Sequence, residues 1–124
     1  MLQIMMIGIG GALGSMLRFL MSSAMGAWLG RDFPFGTLTI NVLGSFLMGL
    51  LAVVLVERFN LDVVWRSAIL VGFLGGFTTF SSFSLETLQL LLAEETSKAL
   101  LYMGLSVILC VSAAALGLKV GQHF

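Results

Sequence analysis

Long apolar runs without charge alternate with short polar stretches along this chain. A helix crosses the hydrocarbon core of a bilayer with about 20 apolar residues, and four runs approach or exceed that length. They are Leu2–Leu17, which continues past Arg18 from Phe19 to Gly30, then Phe33–Val56, Ser67–Leu85 and Ala99–Leu118. The pattern predicts one all-α membrane domain, residues 1–124, with helices at about 2–28, 36–56, 65–93 and 98–119.

Composition supports an integral membrane protein. Hydrophobic residues make up 59% of the chain and charged residues 10%, which is too little charge to cover the surface of a soluble domain. We therefore expect a multi-pass protein of the cell (inner) membrane. The first run has no basic segment before it, so we do not expect a cleaved signal peptide.

Several function classes are disfavoured by what the chain lacks. Its formal net charge of zero argues against a nucleic-acid partner, because binding the phosphate backbone requires basic residues. No spacing of His, Cys, Asp or Glu suggests a metal cluster, and no nucleophile–base pair suggests an enzyme. The single cysteine, Cys110, is interpreted as a packing residue, and His123 as a solvated tail residue.

The basic residues are almost evenly divided between the two ends of the predicted bundle. Arg58, Arg66 and Lys119 fall on one side of the membrane, and Arg31 and Lys98 on the other. Because an excess of Lys and Arg normally fixes the cytoplasmic side, a chain with so little bias could insert in both orientations. Oligomers usually close by two-fold symmetry, so an antiparallel, dual-topology homodimer is expected.

The third span contains the most unusual sequence, GFLGGFTTFSSFSLE at residues 72–86. Its GGFTT core, 75–79, is poor material for a continuous helix, because glycine and threonine both have low helix propensity. We therefore predict a break in this helix. Irregular backbone at membrane depth persists only where it is buried in protein or faces a cavity, and it frees carbonyls that could hold a cation.

After the predicted break, polar and aromatic residues lie on neighbouring faces of the helix. At 100° per residue, one polar stripe contains Thr79, Ser82, Glu86 and Gln89. Phe80 and Phe83 lie three residues apart on the adjoining face. Two phenylalanines at this spacing usually pack together. Beside a polar stripe, however, the positive edges of their rings could also meet an anion.

In the first two spans, the glycines have one interpretation, whereas Arg18 and Asn41 each have two. Gly10 and Gly14 form a pair of small residues that predicts close helix packing. Arg18 lies at a depth where a charge costs about 3 kcal/mol, so it either anchors at the interface or adds positive potential to an anion route. Asn41 shares a small, polar face of span 2 with Thr37; it either makes an interhelical hydrogen bond or lines a wet cavity.

In span 4, Tyr102 and Ser106 share a face at i, i+4. Tyr102 is either an aromatic-belt residue at the membrane interface or a hydroxyl donor into a pathway. The sequence alone favours the belt.

Three stretches resemble the signature blocks of one family. GGALGSMLRF in span 1, GTLTINVLGSFLMG in span 2 and GFLGGFTTFSSFS in span 3 are similar, in the same order, to blocks of the Fluc (CrcB) fluoride channels. The chain departs from the family pattern at Phe19, where tyrosine is frequent, and at Ser82, where threonine is common. The resemblance implies a passive, selective channel that exports fluoride from the cytoplasm and relieves its toxicity.

The resemblance also implies an architecture and a set of site residues. It implies an antiparallel homodimer in the lipid bilayer, with two fluoride pores and a structural sodium ion at its centre. Carried over by motif position, the sodium ligands would be the backbone carbonyls of Gly75 and Thr78, and Arg18 would lie near a vestibule. The implied pore residues are Asn41, Phe80, Phe83, Ser81, Ser82, Ser84, Glu86 and Tyr102.

Two other functions remain as alternatives. A small four-helix, proton-coupled multidrug exporter would need an intramembrane carboxylate early in the chain, whereas the only deep acid here is Glu86 in span 3. A structural subunit of a larger membrane complex would explain the glycines by packing. It would leave the stripe of Thr, Ser and Glu residues without a role.

Overall fold

The computed structural model describes residues 1–124 and is entirely helical. Four spans follow one another: span 1 is Leu2–Leu29, span 2 is Phe35–Arg58, span 3 is Val63–Leu92 and span 4 is Thr96–Gln122. Each is long and apolar enough to cross a membrane, which confirms the four-span prediction.

Span 3 consists of two segments that differ in backbone geometry. Segment 3a comprises Val63–Arg66, a π-helical stretch Ser67–Leu74 and a last turn Gly75–Phe77. Segment 3b is the α-helix Phe80–Leu92. Between them Thr78 and Thr79 have extended backbone, with ψ angles of 157° and 114°. We refer to these two residues as the extended pair.

Helix boundaries follow from residues that satisfy the free backbone groups at each end. Span 1 ends before Gly30, which has φ of 83°, a conformation that glycine adopts without steric cost. The Asp62 carboxylate accepts the amide proton of Val63 at 2.7 Å and starts segment 3a. The hydroxyl of Thr79 accepts the amide proton of Ser82 at 3.1 Å and starts segment 3b.

Span 1 packs closely on segment 3a through glycines. Gly10 faces the carbonyl oxygen of Ala68, and Gly14 faces that of Phe73, so closely that a Cβ at either glycine would overlap the backbone opposite. The helix-packing prediction for Gly10 and Gly14 is therefore confirmed. Backbones that approach this closely gain van der Waals contact that larger residues would prevent.

Span 2 packs in the same way on span 4. Gly49 faces the carbonyl of Ala114, and Gly117 faces that of Phe46. The four largest side chains that are completely buried are Ile40, Leu74, Phe77 and Tyr102. In the most apolar window of each span, only 11% to 28% of residues are buried inside the chain. Most of each helix surface is therefore available to lipid or to another chain.

Candidate functional site

The extended pair is held by a single side chain from span 2. The Nδ2 group of Asn41 donates to the carbonyl of Thr79 at 3.1 Å, and its Oδ1 accepts the amide proton of Thr79 at 2.9 Å. One amide thus satisfies both backbone groups of a residue that has left the helical hydrogen-bond ladder. Asn41 makes the interhelical hydrogen bond that was one of its two alternatives, and it also lines a cavity, described below.

The last carbonyls of segment 3a are also occupied. The half-buried Arg18 donates from Nε to the carbonyl of Gly76 at 3.0 Å. The hydroxyl and the amide of Thr78 both donate to the carbonyl of Leu74, each at 3.0 Å. Cations are favourable near the C-terminal end of a helix. Arg18 therefore stabilises the end of segment 3a, a contact that neither sequence alternative included.

A cavity of about 410 Å³, the inner cavity, lies beside the extended pair. Spans 2 and 4 and segment 3b form its walls. Its lining residues are Asn41, Gly44, Ser45, Met48, Thr78, Thr79, Phe80, Phe83, Ser106, Val107, Cys110, Val111 and Ala114. The structure therefore gathers Asn41, Phe80 and Phe83, three of the predicted pore residues, at one cavity.

The two phenylalanine rings in this cavity have different surroundings. Their centroids are 5.4 Å apart at an interplanar angle of 47°, so the rings touch. Phe83 is half-buried and packs on Tyr102, whereas Phe80 is 78% exposed. Phe80 therefore faces outward from the chain and Phe83 faces inward.

A second cavity of about 400 Å³, the outer cavity, lies where the loop between spans 1 and 2 meets the start of span 4. Its lining residues are Ser22, Gly26, Gly30, Arg31, Asp32, Phe33, Pro34, Phe35, Gly36, Thr37, Glu86, Gln89, Leu90, Glu95 and Lys98. Lys98 forms an ion pair with Glu95 at 3.4 Å and donates to the carbonyl of Asp32. This cavity is rich in charged groups, in contrast to the inner one.

Tyr102 lies between the two cavities. It is completely buried, and its hydroxyl donates to a carboxyl oxygen of Glu86 at 3.1 Å. Its ring contacts Phe83 at a centroid distance of 5.1 Å and Phe33 at 5.6 Å. The aromatic-belt interpretation of Tyr102 is therefore wrong, because these neighbours cover both ends of the side chain. A contact series Glu86, Tyr102, Phe83 joins the outer cavity to the inner one.

The serines of the first turns of segment 3b lie outside both cavities. Ser84 donates its hydroxyl to the carbonyl of Phe80 at 2.9 Å, and the exposed Ser81 hydroxyl lies 3.2 Å from that of Thr79. Ser82 contacts Thr79 through its backbone amide. Among the residues of the polar stripe, only Glu86 and Gln89 share a cavity, since both line the outer one.

Ser106 and Cys110 line the inner cavity and were not among the site residues predicted from the sequence. Ser106 is buried, and its hydroxyl has no hydrogen-bond partner. Cys110, interpreted from sequence as a packing residue, is only partly buried and lines the cavity one turn further along span 4. The i, i+4 relation of Ser106 to Tyr102 was a usable signal, but the interfacial interpretation of Tyr102 obscured it.

Comparison with known proteins identifies the family. The family model described as CrcB-like protein, Camphor Resistance (CrcB), matches residues 5–118. The chain belongs to the CrcB family. This CrcB-family chain is therefore a multi-pass membrane protein, and the family resemblance of its three sequence blocks is confirmed.

Curated relatives match the CrcB-family chain over nearly its whole length. A protein of Hydrogenovibrio crunogenus is 48% identical over 123 residues, covering 99% of this chain and 93% of its own. One of Magnetococcus marinus is 52% identical over 121 residues, covering 98% of each. One of Coxiella burnetii is 43% identical over 123 residues, covering 98% of this chain and 99% of its own. All three carry the name fluoride-specific ion channel FluC, which describes a channel rather than an enzyme.

Proposed function

We propose that this protein is a passive, selective fluoride channel that exports fluoride from the cytoplasm and relieves its toxicity. The observation that carries the proposal is the inner cavity. In a membrane-spanning chain, it brings hydrogen-bonding groups at an irregular backbone together with the rings of Phe80 and Phe83. Relatives that match the chain over nearly its full length are named fluoride-specific channels.

The chemistry of the cavity suits a small, strongly hydrated anion. A pore must replace the water that fluoride loses, yet bind it weakly enough to release it. The Asn41 amide uses one of its two N–H groups on Thr79, so the second remains as a donor. The positive ring edges of Phe80 and Phe83 supply attraction without the trapping effect of a fixed cation.

The remaining polar residues extend this route. Glu86 in the outer cavity connects to Phe83 in the inner one through Tyr102, which bonds the first and packs on the second. Ser81, Ser82 and Ser84 lie outside both cavities within one chain, and in this proposal they would join the route only where a second chain packs against segment 3b. In this proposal Arg18 adds positive potential from the end of segment 3a.

The functional unit in this proposal is an antiparallel homodimer with two pores. Phe80 is 78% exposed within one chain, and a second copy would cover it and complete the cavity wall. The almost even distribution of basic residues between the two ends is compatible with insertion in both orientations. Two-fold symmetry would then place each pore between segments of both chains.

A structural sodium ion at the dimer centre would be held by the backbone carbonyls of Gly75 and Thr78. The neighbouring carbonyls of Leu74, Gly76 and Thr79 already accept hydrogen bonds, while the extended conformation of Thr78 takes its carbonyl out of the helical ladder. Freed backbone oxygens of this kind suit Na⁺. In this proposal each chain contributes two ligands, so the site needs the second copy.

The decisive experiment is ion efflux from liposomes that contain the purified protein. Vesicles loaded with potassium fluoride or potassium chloride are given valinomycin, without a proton gradient, and each anion is followed with its own electrode. We expect fast fluoride release and negligible chloride release. No fluoride release from a preparation that is folded and dimeric would refute the channel. That outcome would instead favour the multidrug exporter, whose carboxylate would be Glu86, or the structural subunit.

Dual topology is tested separately. Fusions of the C-terminus to one reporter active only in the cytoplasm, and to another active only outside it, should both give signal if the chain inserts in both orientations. Activity of only one reporter would contradict the antiparallel homodimer.

A further inference from the structure

We propose that Cys110 is a modification site inside the inner cavity, where a small thiol-reactive electrophile forms a mixed disulfide and stops fluoride flux. The inference rests on the proposed channel function for its second half, the loss of flux. Its first half, the reaction of a cavity thiol, is independent of what the protein conducts.

The position of Cys110 places its thiol among the groups of the candidate pore. It lines the same cavity as Asn41, Phe80 and Phe83. It follows Ser106 by four residues on span 4, so the two side chains lie one helical turn apart on one wall. The residue is only partly buried, unlike a cysteine used to fill a core.

Ser106 adds an unsatisfied polar group to this wall of the inner cavity. The residue is 8% exposed, and its hydroxyl is buried without a hydrogen-bond partner in the chain. Buried polar groups in proteins are almost always paired with protein, water or a ligand. Ser106 lines the inner cavity, so this cavity is the space from which water or a small polar species would reach its hydroxyl. Cysteines that react with small electrophiles are at least partly accessible, as Cys110 is.

The reaction is a thiol–disulfide exchange with a defined balance. With methyl methanethiosulfonate, the Cys110 thiol loses its proton to water, and the thiolate attacks the methylthio sulfur. A new S–S bond forms, the S–SO₂ bond breaks, and methanesulfinate leaves with the electron pair. A dithiol reductant reverses the modification by removing the methylthio group. The chain contains one cysteine, so the reagent has a single target.

The test measures labelling and flux in the same wild-type protein. The reconstituted protein is treated with methyl methanethiosulfonate, and the modification is followed by intact-protein mass spectrometry. Fluoride efflux is measured before treatment, after treatment and after reduction. We expect a mass increase of one methylthio group, loss of fluoride efflux, and recovery of efflux on reduction.

A matched control moves the thiol to another groove. In a Cys110→Ala background, Leu109→Cys places a thiol about 100° around span 4. Leu109 lines a separate apolar groove between spans 2 and 4, with Val42 and Phe46. Each variant is compared with its own untreated rate. We expect reaction at this position to leave the efflux rate unchanged.

The outcomes separate this inference from the channel proposal. Failure of untreated protein to release fluoride counts against the channel, while labelling still tests whether the thiol is accessible. Untreated flux with a thiol that reacts only after denaturation would overturn the modification site. Labelled protein that conducts as before would also overturn it, because the thiol would then lie away from the pathway. Equal block at position 109 would show that the effect is not specific to the inner cavity.

Discussion

The two segments of span 3 are built in opposite ways. Segment 3a lies against span 1 backbone to backbone, with Gly14 facing Phe73 and Gly76 facing Gly11. In segment 3b only Thr87 and Leu90 are buried, and the segment is joined to span 4 by side chains such as Phe83 on Tyr102. From this difference we expect segment 3a to determine whether the chain folds, and segment 3b to determine what passes along it.

The physical reason is the kind of contact each segment makes. A Cβ built on Gly76 would lie 2.6 Å from the carbonyl oxygen of Gly11, and backbone atoms on both sides leave no room for adjustment. Contacts of segment 3b run through side chains, which change rotamer at moderate cost. Substitutions should therefore affect folding in segment 3a and its partner, and transport in segment 3b.

The largest effect is expected for Gly14→Val. Its side chain would overlap the carbonyl of Phe73, and overpacking of a well-packed contact destabilises by about 1–3 kcal/mol or more. Because the atoms that the valine would overlap belong to the backbone, which cannot change rotamer, we expect a destabilisation at the upper end of that range. Size-exclusion chromatography in detergent should then show little monodisperse protein.

Gly8→Val is the matched control. Gly8 lies in the same helix, and a Cβ there has no neighbour within 4 Å, so this variant should purify like the wild type. Equal yields and thermal stability for both variants would show that the fit between span 1 and segment 3a is looser than described.

The parts of the fold that depend on periodicity and length could be predicted from the sequence. Four spans follow from four apolar runs, and the packing role of Gly10 and Gly14 follows from their spacing. Tyr102 was misjudged because its place near the start of span 4 resembles an interfacial position. Periodicity gives the face of a helix on which a residue lies, but not which neighbour covers that face.

The candidate site was predictable in its residue types but not in its contacts. Asn41 and Thr79 are 38 residues apart, and Arg18 and Gly76 are 58 apart, so only the packing of the spans brings them together. The same holds for Ser106 and Cys110, which matter because of the cavity between spans rather than because of a motif. Only the three-dimensional packing of the spans shows which of these side chains face the cavity and which backbone groups they meet.

The second prediction concerns the rings of segment 3b. Phe83→Ile and Phe80→Ile should each abolish fluoride efflux while leaving a folded dimer, because a hydrophobic replacement of roughly similar size costs less than about 1.5 kcal/mol of stability but removes the polarised ring edge. Efflux from liposomes and size-exclusion chromatography measure the two properties. Wild-type flux in both folded variants would remove the rings from the mechanism.

The smallest effect is expected at the hydrogen bond between Tyr102 and Glu86, where segment 3b meets span 4. A net hydrogen bond contributes about 1 kcal/mol, which corresponds to roughly a fivefold change in rate if it acts on the barrier. We therefore expect Tyr102→Phe to slow fluoride efflux by about that factor without impairing folding.

A double-mutant cycle with Glu86→Gln decides whether this bond acts as a unit. If the hydroxyl and the carboxyl group work only together, the double variant should be no slower than the slower single variant. Additive losses would mean that each group contributes separately to the route between the two cavities. An unchanged rate in Tyr102→Phe would instead assign the hydroxyl to the packing of segment 3b. The first part of segment 3b would then have a structural role, as segment 3a does.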